Sequence, residues 1–133
     1  MIEEDNINID RSKVEIFLYR APKKNHDSLV RLNKQSHDFF MKYGALKFEV
    51  FTIDNRENMM DFVNLAKTIS ANDEDEEVWL EIQSYKNSQH VKEFVDKMTK
   101  DTSMETLSKE FMDLITPGSV VSFGGFDKIK EIS

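Results

Sequence analysis

The chain contains no cysteine. That removes disulfides, thiolate nucleophiles and cysteine-ligated zinc together, and it fits a reducing compartment. No apolar run approaches the roughly 20 residues that a membrane-spanning helix needs. The start, Met1-Ile2-Glu3-Glu4-Asp5, lacks the basic residues and apolar stretch of a secretory signal. A cytoplasmic location with no membrane partner is expected. Positive charge is also scarce: 18 Lys and Arg stand against 25 Asp and Glu, for a net charge of −7. Such a chain is repelled by phosphate backbones unless its cations gather in one patch. The only basic pair near a turn, Lys23-Lys24, stands alone, so no nucleic-acid partner is expected. Nor is there a glycine-rich phosphate loop or a Gly-x-Ser-x-Gly elbow.

What is present is enough for one core. Hydrophobic residues make up 39% of 133 residues, which predicts one domain. Residues 14–126 form that domain, between a polar N-terminal tail at 1–13 and a short C-terminal tail at 127–133. Residues 14–21 alternate, with Val14, Ile16 and Leu18 on one face and Glu15, Phe17 and Tyr19 on the other. Pro22 ends that strand. Asn25 or Asp27 can cap a helix running to residue 43, whose stripe is Leu29, Leu32, Ser36, Phe39, Phe40 and Tyr43. Gly44 follows it as a residue free to turn left-handed. A second strand covers 46–53, with Leu46, Phe48 and Val50 on one face.

Met59, Phe62, Val63, Ala66 and Ile69 have the spacing of a short amphipathic helix, and the acidic run 73–77 reads as a solvated loop. A third strand covers 78–85, with Val78, Leu80 and Ile82 opposite Trp79, Glu81 and Gln83. Ser88 is placed to cap the next helix, which carries Val91, Phe94, Val95 and Met98. Thr102-x-x-Glu105 reads as the capping box of another, which carries Met104, Leu107, Phe111, Leu114 and Ile115. The last strand, 119–126, contains Gly124-Gly125, the mark of a bulge.

This order predicts an α+β domain, a ferredoxin-like βαββαβ unit with an antiparallel four-stranded sheet and its helices on one face. The aliphatic faces of the strands are expected under the helices. The other face then carries Phe17, Tyr19, Phe51, Trp79 and Phe123, too many large rings to leave in water. Burying one such ring is worth on the order of 2 kcal/mol. These five residues are therefore the expected interface of a homodimer, two sheets pressed together as a dimeric α/β barrel. The alternative is that the tails or the segment 54–77 cover this face within one chain.

Tyr19-x-x-Pro22-Lys23-Lys24-Asn25, Tyr43-Gly44-Ala45-Leu46, Tyr85-Lys86-x-Ser88-x-His90 and Gly124-Gly125-Phe126 are in an order and spacing that resembles the YbaA-like family of unknown function. The resemblance spans most of residues 14–126 and implies membership of the dimeric α/β-barrel superfamily. It implies a fold and a dimer but no activity. Val91 stands where that family has an arginine.

Glu81 is a carboxylate among rings, with Tyr19 and Trp79 expected beside it. Burial would raise its pKa and suit it to acid or base work. The resemblance implies that ligands sit between sheet and helices, which adds Ser36, His37 and Phe40 as pocket candidates. His26, His37 and His90 lack the spacing of a metal site, so they read as boundary residues. No metal, cofactor or catalytic residue is assigned. The function read from this is binding or transformation of a small organic molecule. The alternative is a non-catalytic dimeric module with a structural or regulatory role.

Overall fold

A computed structural model describes residues 12–54, 60–63 and 75–132. Four strands and three helices follow in the order β1 (Lys13–Pro22), α1 (His26–Lys42), β2 (Lys47–Thr52), β3 (Glu76–Tyr85), α2 (Ser88–Thr99), α3 (Ser103–Leu114) and β4 (Val121–Asp127). The strands form one antiparallel sheet in the order β2-β3-β1-β4. The short helix expected over 59–69 lies outside the described residues except at 60–63. So does most of the expected N-terminal tail, although Lys13 already opens β1. No described helix is long and apolar enough to cross a membrane.

Residues opposite each other in antiparallel strands share a face. Across β1 and β3, Phe17 faces Glu81, Tyr19 faces Trp79 and Glu15 faces Gln83. Across β3 and β2, Gln83 faces Phe48 and Glu81 faces Val50. This is the face the helices cover. Tyr19, Ala21 and Trp79 pack with Leu29 and Leu32 of α1 and with Ile115 just past α3. A second cluster joins Tyr85 and Phe94 to Ala45.

The expectation for the two central strands is thereby reversed. Alternation shows that a strand has two different faces; it does not say which one is covered. Tyr19, Trp79 and Tyr85 carry far more burial area than valine or leucine, and they fill the depth between sheet and helices. Only β2 keeps its expected orientation, with Phe48 and Val50 inward. The proposed set of interface rings does not share one surface. Phe17, Tyr19 and Trp79 lie under the helices, Phe51 lies on the opposite face beside Leu80, and Phe123 sits half-buried at the bulge in β4. Tyr19 and Trp79, at 1% and 3% exposure, are already dry within the chain.

The open face is aliphatic instead. Val121, Leu18, Leu80 and Phe51 form one row across all four strands. Ile16 and Ile82 extend it.

Local signals also shifted. Asn25 stands at the N-cap of α1 as expected, but its side chain makes no capping bond; its nitrogen donates instead to the carbonyl of Leu114 at 2.8 Å, closing the end of α3. The cap of α2 is Asn87, not Ser88, and its side-chain oxygen accepts from the His90 amide at 2.8 Å. Thr102 makes no side-chain cap at α3. Asp101 accepts from both the amide and the hydroxyl of Ser103. Where the β1–β4 ladder stops, Ser119 takes over: its hydroxyl accepts from the Arg20 amide and donates to the Arg20 carbonyl, each at 3.1 Å.

Candidate functional site

A cavity of about 480 Å³ opens between the helix-covered face of the sheet and all three helices. Phe40 of α1, Val91, Phe94 and Met98 of α2, and Met104, Leu107 and Phe111 of α3 make its walls. The sheet makes its floor, and the floor is polar. Because side chains two apart on a strand share a face, Glu81, Gln83 and Tyr85 stand in a line along β3. Tyr85 donates its hydroxyl to Gln83 Oε1 at 2.7 Å, and Gln83 Nε2 donates to Glu81 Oε2 at 2.6 Å. Glu15 and Phe17 flank this line from β1.

One end of the cavity is closed by Tyr19. Its hydroxyl accepts from Asn33 Nδ2 at 3.3 Å. Its ring stacks with Trp79, at 6.1 Å between centroids, and meets Phe111 edge-on at 4.8 Å. Asn33 and Ser36 explain why the inner stripe of α1 is not wholly apolar: both line the cavity.

Burial shapes the titrations here. It raises the Glu81 carboxyl above the usual carboxylate range, and the hydrogen bond from Gln83 offsets part of that rise. Burial likewise raises the Tyr85 hydroxyl, helped by the charges of Glu15 and Glu81. The Tyr19 hydroxyl is raised by burial and, more weakly, by Glu81, while its bond to Asn33 works in the other direction. Burial thus works against the charged form of each of these groups. Glu81 Oε1 receives no hydrogen bond from any described residue. The result is a carboxyl group held by one oxygen, with the other available to a visitor.

Of the six pocket candidates, Tyr19, Glu81, Ser36 and Phe40 line this cavity. The other two do not. Trp79 backs Tyr19 from within the core, and His37 lies at the rim of α1 edge-on to Phe48, where its Nδ1 contacts Asp38 Oδ1 at 3.1 Å. Both belong to a separate, more open cleft with Val30, Lys34 and Phe48. Sequence reasoning missed Gln83 and Tyr85 as site residues, although their two-residue spacing from Glu81 was visible. It also missed Glu15 and Asn33. Among the described residues no group of three or more His, Asp or Glu gathers to hold a metal. Among the described residues no Lys, Arg or His lines the cavity, so they offer a phosphate-bearing cofactor no cationic partner there.

The family model described as "Protein of unknown function (DUF1428)" matches residues 12–114, well over half of the chain. The chain belongs to that family. No curated protein matches it. The DUF1428 match runs from the start of β1 to the end of α3. It therefore includes every cavity residue named above, among them the Glu81, Gln83 and Tyr85 line.

Proposed function

We propose that this DUF1428 protein binds a small organic molecule in the cavity between its sheet and its helices, as a ferredoxin-like domain of the dimeric α/β-barrel kind. The observation that carries this reading is the polar line of Glu81, Gln83 and Tyr85 at the base of a mostly apolar space of about 480 Å³. Binding sites for small molecules have this character: apolar walls for affinity and a few convergent polar groups for orientation. A packed core has no use for a buried carboxyl, which costs several kcal/mol to desolvate when charged. Glu81, its carboxyl raised by burial and its Oε1 without a described hydrogen-bond partner, is also the group by which binding would extend to proton transfer on a bound molecule.

The strand order β2-β3-β1-β4 supports the ferredoxin-like assignment. The row Val121–Leu18–Leu80–Phe51 supports a second copy as the cover of the open face. Phe51 is 47% exposed, Phe126 50% and Val121 39% in the single chain, while Leu18 within the row is already buried at 8%; the exposed apolar groups at the outer strands favour association. A two-fold axis through it brings each row against its own copy, so one surface serves both partners.

Native mass spectrometry of the purified protein tests both parts at once. The expected result is a mass of two chains, with a small molecule retained or readily added. Single chains that take up nothing from a broad fragment library would refute the reading.

A further inference from the structure

Resting on that cavity as a ligand site, we infer that its ligand is an organic amine, an apolar body ending in an ammonium or other strong hydrogen-bond donor that docks on Glu81 Oε1. Two carboxylates, Glu15 and Glu81, line the cavity, and no described Lys, Arg or His does. An anionic ligand would therefore enter a space lined by two carboxyl groups and by no described cation, which is unfavourable.

The two carboxylates are not equivalent. Glu15 shares the space above Gly125 with Lys13: a Cβ built on Gly125 would meet Lys13 Cε at 2.4 Å and Glu15 Oε1 at 3.0 Å. Lys13 itself reaches Ser88 Oγ at 3.4 Å. Glu81 has no cation in contact. Its Oε2 is committed to Gln83, and Gln83 is committed to Tyr85, so the polar line turns an acceptor into the cavity. A donor on the ligand completes that line. An ammonium restores the charge that burial disfavours, through a charge-assisted hydrogen bond. Phe40, Phe94, Leu107 and Phe111 then surround the apolar body.

A matched probe series tests this: phenylbutylamine, phenylbutanol and phenylbutanoate, which share a body and differ in the terminal group. Calorimetry on the wild-type protein should give an affinity order of amine, then alcohol, with no binding of the carboxylate. The amine should lead by about tenfold or more, as expected of a charge-assisted bond in a dry site. Glu81→Gln keeps an acceptor for Gln83 and removes the charge. It should remove the amine's advantage over the alcohol. The far-UV circular dichroism spectrum and the urea midpoint check that the variant remains folded. If alcohol and amine bind equally, or the carboxylate binds best, the amine assignment is overturned and the cavity stands as a ligand site. If amine preference survives in Glu81→Gln, the docking group is misassigned. If no probe and no library fragment binds, the ligand-site reading itself falls.

Discussion

The hydroxyl of Tyr85 donates to Gln83 Oε1 at 2.7 Å, which leaves the Gln83 amide nitrogen facing Glu81. One tyrosine thus sets the orientation of a carboxyl four residues away on the same strand. Tyr85→Phe removes the donor without changing the packing of the ring against Phe94. The Gln83 oxygen then loses its partner inside a buried site. The expected loss is about 1–2 kcal/mol of folding stability, read from urea unfolding. Ligand affinity should fall as well, because Gln83 becomes free to rotate away from Glu81. An unchanged urea midpoint and unchanged affinity would show that the line of three is incidental.

The Glu81 carboxyl also predicts a pH dependence. It holds its proton more tightly folded than unfolded, because burial disfavours the charged form. Its contribution to stability is therefore complete below the ordinary carboxylate range and is lost as pH rises through its folded value. The groups facing it are Gln83 and Tyr85 on β3 and Glu15 and Tyr19 on β1. Glu81→Gln cannot ionise. As pH rises from about 4, the wild-type urea midpoint should fall relative to that of the variant. Parallel curves would mean that Glu81 is solvated when folded.

How much of this was legible in the sequence depends on which physical signal each residue carries. Strand and helix positions followed from period and punctuation: Pro22, Gly44 and the Gly124-Gly125 pair all mark ends or irregularities of elements. The covered face of the sheet did not follow. Val14, Ile16 and Leu18 look like core, and Glu15 looks like surface, until a cavity and a glutamine partner accommodate the carboxylates beneath the helices. The hint was on α1, where Asn33 and Ser36 interrupt the apolar stripe and need polar company. Long-range pairings such as Asn25 with Leu114 join residues 89 positions apart and carry no local signal. Glu81 was recognisable as a carboxyl among rings; the atoms that orient it were not.

Leu80 tests the other face of the sheet. It sits between Leu18 and Phe51 in the open aliphatic row and away from the cavity. Leu80→Lys should leave the fold intact, because Leu80 is partly exposed in the single chain and a lysine stem can carry its charge out to water. Two lysines would then face an apolar partner surface across the two-fold axis, which costs several kcal/mol. Sedimentation at micromolar concentration should show two chains for the wild type and one for the variant, with ligand affinity retained. Equal sedimentation coefficients would remove the face-to-face dimer.

Gly124 marks the register shift between β1 and β4 and has φ +83°. A Cβ there would meet nothing within 4 Å. Gly124→Ala therefore isolates backbone strain from crowding, and should cost about 1–2 kcal/mol of stability. No loss would mean that the bulge relaxes to ordinary dihedrals without penalty.

The most direct measurement is an NMR titration of isotope-labelled protein with amine-bearing fragments, read residue by residue. The account predicts saturable shifts concentrated on Glu81, Gln83, Tyr85, Phe94 and Leu107, with Leu18, Leu80 and Phe51 unmoved. Shifts confined to the open sheet face, or none at any fragment concentration, would contradict it.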